Sequence, residues 1–437
     1  MSDYLFMLES HLSSDQSRVV NLVQEAAVQA NINVFLTGGA MRDMLGGFPI
    51  HEIDFTVEGN AIKLARAIAA KSGAEVLNVD ENRKSAHLRF PSGVDATIGM
   101  ARQEKFSKTG AKPHVHPATI HEDLRSRDFT INSIALSLNP ASKGLLLDPN
   151  NGAGDLAHKE LRAVTNFTLY DDPGRLLRLI RFKIRLGFEV GERTQMQYAN
   201  AREAGLETRI ASQTLMDELR RVADEKNLSE LIKALEDEKL LQLFSPALDG
   251  PKINTAGLQK LQKARQMVPF GANFPLDNIG LFLLTLTEKF TPAERVALVK
   301  RLDMPKEDVA KWQKLEARSK KLEKDLKSAR IQKASHVYAV LSKAPGDQIL
   351  FLLLHSSERV VQDRIRNYLQ KYLPASLEVT EKEVVAAGGH PGGPKYAKLR
   401  DELIATRLDA RPKKVPPPPP VVEPPAPPPP VSAFARR

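Results

Sequence analysis

The spacing of apolar residues in the first third of the chain alternates between short runs and longer amphipathic stretches. Apolar runs at residues 34–36 and 53–57 predict strands, and the pattern at residues 61–70 predicts an amphipathic helix. Residues 86–90 and 94–98 flank Pro-Ser-Gly, which predicts a hairpin. This part therefore has the pattern of an α+β domain with a mixed or antiparallel sheet and flanking helices.

From about Leu161 the pattern changes, because apolar residues recur three and four positions apart. This spacing is typical of helices that bury one face, and strand signals become few after Val164. We therefore expect an N-terminal α+β head followed by an all-α remainder. The predicted division is 1–150 for the head, 151–225 for a first helical segment and 226–410 for a longer helical body and tail.

Residues 411–437 have a different composition, since they hold 12 of the 29 prolines. Proline lacks an amide proton and fixes its own backbone angle, so this segment predicts a disordered, polyproline-II-like tail. It either binds a partner that reads proline-rich peptides or is an inert solvated extension.

Composition narrows the classes of function. The 437 residues include no cysteine, which excludes disulfides, thiolate metal sites and a cysteine nucleophile and fits a cytoplasmic protein. No secretory signal or apolar run of membrane-spanning length is visible, so no membrane partner is expected. The net charge of +10 favours a polyanionic partner such as nucleic acid, although a generic protein with a basic tail would show the same balance.

Candidate chemistry is concentrated around two glycines and two carboxylates. Gly38 and Gly39 lie between a predicted strand and a predicted helix, where the backbone can approach a phosphate closely. Glu52 and Asp54 are two apart on a predicted strand, so their side chains share one face. Two adjacent carboxylates repel unless a cation holds them, and magnesium suits such oxygen ligands. Either feature alone could be an ordinary turn or an exposed strand edge.

The combination resembles the signature of the DNA polymerase β-type nucleotidyltransferase superfamily. That resemblance implies that Gly38 and Gly39 hold a nucleoside triphosphate. It also implies that Glu52 and Asp54 are catalytic and bind two magnesium ions during transfer to the α-phosphorus. A third carboxylate, Asp95, either approaches the metals from the hairpin strand or is an exposed strand residue.

Further motifs resemble those of class II tRNA nucleotidyltransferases and bacterial poly(A) polymerases. The segment 127–132, Arg-Asp-Phe-Thr-Ile-Asn, resembles their second motif, and Asp148-Pro149 with Gly154-Asp155-Leu156 resembles their connector. Residues 171–182 resemble their nucleotide-selecting motif, which makes the segment 151–225 a helical neck. The resemblance extends from about Val34 to Phe188 and is fainter beyond.

The resemblance assigns the roles of the polar residues. Asp172 and Arg175 would recognise the base edge of ATP or CTP, with Arg178 and Arg181 contacting the triphosphate or shaping the pocket. These arginines are spaced by three and share a helical face, although such a stripe is commonly only solvated. The remaining members of the expected nucleotide-binding set are Arg42, Asp43, Arg127, Asp128 and Asn132.

The chain departs from the family at three places. Glu52 stands where aspartate is usual, and its extra methylene would displace a metal unless the strand adjusts. Ser126 precedes Arg127 where a second arginine is common. The glycine- and proline-rich segment 388–398 has an extra glycine and Ala397 in place of glycine.

A tRNA partner would be held by shape and phosphate charge, because no aromatic stacking platform is apparent. Residues 314–333 are rich in lysine and arginine, and Lys320 and Lys321 represent this candidate RNA surface. Lys395 and Lys398 are further candidates within the segment 388–398. The histidines His114, His116 and His121 fit no common zinc spacing, so we expect a mobile loop that contacts nucleotide or primer.

The sequence therefore predicts a template-independent enzyme that adds CCA, or the terminal A, to tRNA 3′ ends from CTP and ATP. A poly(A) polymerase is the alternative, although the basic and apolar segment typical of its close relatives is not found between Glu58 and Arg89. A third possibility is a tRNA-binding protein in which Glu52 and Ser126 mark weakened catalysis.

Overall fold

The computed structural model describes residues 3–390, 393 and 395–410. The predicted proline-rich tail, residues 411–437, lies outside the described residues, as do Pro391, Gly392 and Pro394 of the glycine- and proline-rich segment.

A seven-stranded mixed sheet forms the N-terminal head, in the order β3-β4-β5-β2-β1-β8-β9. Within it β2 pairs with β5 in parallel, and the other neighbours pair antiparallel. The strands of the described chain are β1 (Asn33–Thr37), β2 (Glu52–Glu58), β3 (Glu75–Asp80), β4 (Ser85–Arg89), β5 (Asp95–Met100), β6 (Arg102–Lys105), β7 (His114–Pro117), β8 (Ala135–Ser137), β9 (Leu146–Leu147), β10 (Glu160–Leu161) and β11 (Glu189–Val190).

Six helices accompany this sheet in the described chain up to residue 158: α1 (Asp3–His11), α2 (Ser14–Gln29), α3 (Gly38–Leu45), α4 (Ala61–Ser72), α5 (Ile120–Arg125) and α6 (Gly152–His158). Helix α2 begins with a capping box between Ser13 and Gln16, and its apolar stripe is buried. Helix α4 buries Ile62, Leu64 and Ile68 and packs against β3, β4 and β5. These helices cover the sheet because one stripe of each is apolar.

The rest of the described chain is helical, as the change in apolar spacing predicted. Its helices are α7 (Thr168–Asp171), α8 (Gly174–Leu186), α9 (Glu192–Glu203), α10 (Ser212–Asp224), α11 (Leu228–Asp237), α12 (Thr255–Gln266), α13 (Asn278–Leu286), α14 (Pro292–Arg301), α15 (Lys306–Gln313), α16 (Leu315–Lys327), α17 (Ala334–Leu341), α18 (Gly346–His355), α19 (Arg359–Asn367), α20 (Leu373–Leu377), α21 (Glu381–Ala386) and α22 (Tyr396–Ala410).

The predicted fold class is therefore confirmed for the head and for the helical part. The predicted hairpin forms from β4 and β5, with Gly93 at a φ of 84° in its turn. One element escaped the pattern: β11 pairs in parallel with β10 through two residues each, which is too short for a periodic signal. The boundaries at residues 150 and 225 stay predictions.

One continuous apolar core joins the head to the helices, since buried side chains from Leu8 to Leu373 form a single cluster. Phe129 of the head packs edge-on against Phe182 of α8 at 5.8 Å between ring centroids. The site residues of the head and of α8 are therefore held in fixed relation. Among the described helices no single one is long and apolar enough to cross a membrane, although the bent pair α17 and α18 meets that length and composition test together.

Candidate active site

The two carboxylates of β2 lie on one face of the strand, as the alternation predicted. Ile53 and Phe55 between and beyond them are buried in the core. The side chain of Glu52 is 51% exposed, whereas Asp54 is partly buried. The Gly39 amide donates a hydrogen bond to Asp54 Oδ2 at 3.0 Å, so the start of α3 faces the second carboxylate.

Burial and the neighbouring charge of Glu52 raise the pKa of Asp54 to about 7, against the opposing effects of the Gly39 amide, Arg127 and Arg42. A cation between the two carboxylates would relieve this repulsion. The pair offers oxygen donors on one strand face, which fits magnesium. In the described part of the chain no group of three or more His, Cys, Asp or Glu side chains is placed to hold a metal. Two protein carboxylates would therefore be completed by water and phosphate oxygens, as magnesium sites commonly are.

Asp95 is the register neighbour of Glu52 on the parallel strand β5. Its two carboxylate oxygens accept hydrogen bonds from Arg89 at 2.8 and 3.0 Å. This bidentate pairing occupies the side chain, so the contacts favour the interpretation that Asp95 is not a third metal ligand.

The glycine turn is constrained by the carboxylate. Gly38 has a φ of +62°, and a Cβ there would lie 3.1 Å from Asp54 Oδ2 and 3.5 Å from Arg127 Nη1. Gly39 would place a Cβ 3.2 Å from the same carboxylate oxygen. The turn therefore requires both a left-handed backbone at Gly38 and no side chain toward β2. The predicted approach of this backbone to a phosphate stays a prediction.

Arg42 lies in the site but is already engaged. Its Nε and Nη2 donate to Asp43 Oδ1 at 2.9 and 2.7 Å, and its Nη1 donates to Asn132 Oδ1 at 3.0 Å. The residue is 4% exposed, and its guanidinium lies 5.4 Å from the centroid of the Phe182 ring. Asp43 thus orients Arg42.

Arg127 connects the second motif to β2. Its Nη2 donates to Thr56 Oγ1 at 3.0 Å, its Nη1 to the Asn132 carbonyl at 3.1 Å and its Nε to Asp123 Oδ2 at 2.8 Å. Ser126, at the position of the second arginine of the family, donates its hydroxyl to the carbonyls of Asp123 and Arg102. Ser126 therefore ties the end of α5 to the start of β6.

The arginines of α8 meet carboxylates of the protein itself. Arg178 donates to Asp128 Oδ2 at 2.9 Å and to Glu218 Oε1 at 3.0 Å. Arg181 donates to Glu218 Oε2 at 3.3 Å and to Glu225 Oε1 at 3.0 Å. The stripe is thus neither solvated nor free, because Arg178 and Arg181 are paired with carboxylates of the protein.

Where the head meets α8, the effect of ion pairing on the pKa of Asp128 is larger than the effect of burial. Burial alone would raise the pKa of Asp128, but Arg178 and Arg175 outweigh it and hold that pKa well below its ordinary value. Asn132 Nδ2 also donates to Asp128 Oδ1 at 3.1 Å. Asn132 therefore bridges Arg42 and Asp128, which links the first motif, the second motif and α8.

Asp172 and Arg175 lie at the start of α8. Asp172 Oδ1 accepts a hydrogen bond from the Gly174 amide at 3.0 Å, and its Oδ2 lies 3.5 Å from Arg175 Nε. Arg175 Nη1 donates to the Thr168 carbonyl at 3.3 Å, while its buried Nε has no hydrogen-bond partner. A carboxylate and a guanidinium with free hydrogen-bonding capacity therefore stand side by side.

Sequence reasoning missed the carboxylates that hold these arginines, above all Glu218, Glu225 and Asp123. Glu218 is 1% exposed on α10, whose buried stripe also includes Leu215, Leu219 and Val222. A carboxylate on an apolar helical stripe requires a cationic partner, and that was the available signal.

The histidine segment forms a hairpin rather than the predicted mobile loop. His114 lies opposite Lys105 and His116 opposite Gln103, so both histidines belong to the paired strand β7. The Gly110 amide at the hairpin tip donates to the carbonyl of Asp171, the first residue of the segment 171–182, at 3.2 Å. The expectation of a loop was wrong because His-Val-His-Pro carries too few apolar residues to indicate a strand.

The candidate RNA lysines lie on two separate helical regions. Lys320 and Lys321 are exposed on α16, and Lys320 borders a cavity of about 430 Å³ that Glu288, Glu316 and Glu323 also line. Lys395 is exposed, and Lys398 lies 3.8 Å from Glu402. The acidic lining makes Lys320 a weaker candidate for a phosphate contact than Lys321.

Comparison with known proteins agrees with this geometry. Residues 34–162 match the family described as the poly(A) polymerase head domain. An A-adding tRNA nucleotidyltransferase of Aquifex aeolicus is 29% identical over 85% of this chain and 45% of its own length. Another from Halalkalibacterium halodurans is 29% identical over 71% of this chain and 73% of its own. A CC-adding enzyme of Deinococcus radiodurans is 36% identical, over 35% of this chain and 40% of its own.

Solved structures agree over almost the whole chain. A CCA-adding enzyme without ligand (apo form II) is 25% identical, with a TM-score of 0.55 over 94% of this chain and 96% of that one. The Thermotoga maritima CCA-adding enzyme complexed with tRNA has 25% identity and a TM-score of 0.51 over the same shares. A CCA-adding enzyme with CTP has 25% identity and a TM-score of 0.52 over 94% and 95%.

The chain is thus similar over most of its length to class II tRNA nucleotidyltransferases, and residues 34–162, which carry the carboxylate pair, match the poly(A) polymerase head domain family. It spans about half the length of the first curated A-adding relatives, 45% of one and 47% of another.

Proposed function

We propose that the chain transfers a nucleotide from ATP, or from CTP and ATP, to the 3′-hydroxyl of tRNA. The hydroxyl oxygen forms a bond to the α-phosphorus, the bond to the β-phosphate breaks, and pyrophosphate and a proton are released. One observation carries this proposal: Glu52 and Asp54 share a strand face directly opposite the glycine turn at the start of α3. Carboxylates for metal and backbone for phosphate are what such a transfer requires.

Glu52 and Asp54 would hold magnesium, and two bound ions would supply charge stabilisation for the attacking and leaving oxygens. The protein's own contribution is to fix the carboxylates. Asp54 is held by the Gly39 amide, and the strand places Glu52 beside it. Gly38 and Gly39 leave room for a triphosphate because neither has a side chain in this gap.

In this proposal the arginines around Glu52 and Asp54 have two kinds of role, toward the phosphates or within the protein. Arg42, oriented by Asp43 and Asn132, and Arg127, oriented by Asp123, present their positive charge to the phosphates from the head. Asp128 holds Arg178, which joins the head to α8. Arg181 joins α8 to Glu218 of α10 and to Glu225 at its end, so neither arginine contacts phosphate directly in this proposal.

Base recognition is assigned to Asp172 and Arg175. A carboxylate accepts from the exocyclic amine that adenine and cytosine share, and a guanidinium donates to a ring nitrogen or carbonyl. Uracil and guanine offer a different edge to the carboxylate. The adjacent positions of the Arg175 guanidinium and the Asp172 carboxylate, 3.5 Å apart, support this assignment.

The names of the relatives make tRNA the favoured acceptor, and those of Aquifex and Halalkalibacterium favour addition of the terminal A. Structures of a CCA-adding enzyme with CTP and with ATP support both nucleotides as substrates. The candidate contacts for the acceptor are Lys320, Lys321, Lys395 and Lys398. A poly(A) polymerase is the second candidate, because the matching head family bears that description.

The test is nucleotide incorporation by the purified chain with magnesium. The acceptors are tRNA lacking CCA, tRNA ending in CC, complete tRNA and an unrelated RNA, each with CTP, ATP or both. One A added to tRNA ending in CC supports the proposal, and CCA added to the shortest tRNA shows that C is added too. Addition of many A residues to unrelated RNA would instead indicate a poly(A) polymerase. Incorporation of neither nucleotide would leave a tRNA-binding protein.

A further inference from the structure

The carboxylate of Glu52 has partners on the neighbouring strands that the proposed reaction does not yet explain. Thr97 Oγ1 donates a hydrogen bond to Glu52 Oε1 at 2.9 Å. His87 Nε2 lies 3.7 Å from the same oxygen and is buried without a hydrogen-bond partner of its own. Glu52 is also one of the three places at which the sequence differs from the motifs that it resembles.

The register of the sheet arranges these side chains in two rows on one face. The first row runs Arg89, Asp95, Glu52 across β4, β5 and β2. The second row runs His87, Thr97, Asp54 across the same strands. Residues two apart on a strand are separated by about 7 Å, so the rows are about that far apart at the backbone.

Glu52 crosses from its own row into the next. Its Cα belongs to the row of Asp95, but its Oε1 is bonded to Thr97, which is the register neighbour of Asp54. An aspartate is one methylene shorter, and at position 52 it would leave its oxygens nearer to the first row. The extra length of glutamate is therefore used to bring the carboxylate to the level of Asp54.

We propose that Thr97 is a positioning residue that holds the Glu52 carboxylate beside Asp54 and so adapts the metal site to glutamate. This inference rests on the proposed function, since it concerns the same pair of carboxylates. It predicts that Glu52→Asp, with its shorter side chain, weakens metal binding rather than improving it. Asp95 does not compete for Thr97, because Arg89 holds both of its oxygens.

A double-mutant cycle on the full chain tests this coupling. The variants are Thr97→Val, Thr97→Ser, Glu52→Asp and the double variant Glu52→Asp/Thr97→Val. The matched control is Thr208→Val, because Thr208 donates its hydroxyl to the Gly205 carbonyl and is exposed away from the sheet. Binding of Mn²⁺ to the free protein is measured from the electron paramagnetic resonance signal of the unbound ion, and circular dichroism melting checks that each variant is folded.

A hydroxyl that orients a partly exposed carboxylate should change the Mn²⁺ dissociation constant by about fivefold. We expect that weakening in Thr97→Val and in Glu52→Asp, and no further weakening in the double variant, because the shorter side chain has already lost the hydroxyl. Thr97→Ser keeps the donor and should bind Mn²⁺ as the parent does. The magnesium concentration for half-maximal incorporation should rise in Thr97→Val, with kcat at saturating magnesium nearly unchanged.

Additive losses in the cycle, or Mn²⁺ binding to Glu52→Asp as tight as to the parent, would overturn the positioning role. Failure of the proposed function has a different signature: the parent itself would show neither Mn²⁺ binding nor nucleotide incorporation. If the parent binds Mn²⁺ and extends tRNA but the cycle is additive, only the positioning role of Thr97 is rejected and the proposed function stands.

Discussion

The buried carboxylate of Glu218 affects both the stability of the fold and the placement of the arginines of α8. It is 1% exposed and accepts hydrogen bonds from Arg178 and Arg181. Burial would raise its pKa, but Arg178, Arg181 and Arg221 outweigh burial and lower that pKa from 4.5 to about 2. A pKa difference of this size corresponds to about 3 kcal/mol of folding free energy, at 1.36 kcal/mol for each unit.

We therefore expect Glu218→Gln to reduce the free energy of unfolding at pH 7 by about 3 kcal/mol, since the amide leaves the buried guanidinium charges without their counterion. The pH dependence follows from the sign of the shift. Because the pKa of Glu218 is lower in the folded state, its carboxylate stabilises the fold above pH 4.5, and that contribution is lost as the pH falls from about 4.5 to about 2. The parent should show this loss in stability, and the variant should show less of it.

Urea denaturation followed by circular dichroism at several pH values measures both effects. Glu203→Gln is the control, because Glu203 is exposed on α9 and its substitution should change stability by no more than about 0.5 kcal/mol. If Glu218→Gln unfolds within 1 kcal/mol of the parent and with the same acid profile, the ion pairs of Arg178 and Arg181 do not carry the stability assigned to them.

Three further changes test the remaining assignments. Gly38→Ala forces a side chain into the left-handed region beside Asp54, so we expect about 1–2 kcal/mol lower stability and lower kcat/KM for ATP; unchanged values of both would contradict the turn's role. Asp172→Asn should alter the ratio of ATP to UTP incorporation by at least about tenfold, and a constant ratio would reject base recognition there. Lys395→Ala should raise the KM for tRNA with kcat retained and reduce the salt dependence of binding by about one charge; salt dependence equal to the parent's would exclude a phosphate contact.

Local sequence rules predicted the centre of the site well. Alternation along β2 predicted that Glu52 and Asp54 share one face, because it depends on residues close in the chain. The hydrogen bond from Gly39 to Asp54 was not predicted, since it depends on how α3 packs against β2. Periodicity also predicted the helical remainder and the hairpin of β4 and β5. These are the features that the backbone pattern alone determines.

The partners of the charged residues could not be predicted in the same way. Helical spacing put Arg178 and Arg181 on one face, but which anion meets that face depends on how α10 packs against α8 some forty residues later. Thr97 reaches Glu52 only through the parallel register of β5 and β2, which no local pattern encodes. The β7 strand, which holds His114 and His116, was not predicted for another reason, since its residues lack an apolar alternation.

The carboxylate pair of Glu52 and Asp54 is proposed to support metal-dependent transfer to RNA. The most direct measurement compares the parent and Asp54→Asn in the incorporation of radiolabelled ATP into tRNA ending in CC, with magnesium and after its removal by EDTA. We predict one A added by the parent only with magnesium, and a rate at least about a hundredfold lower for the variant at unchanged melting temperature. Equal incorporation by both proteins, or incorporation that persists in EDTA, would contradict a metal-dependent transfer at Asp54.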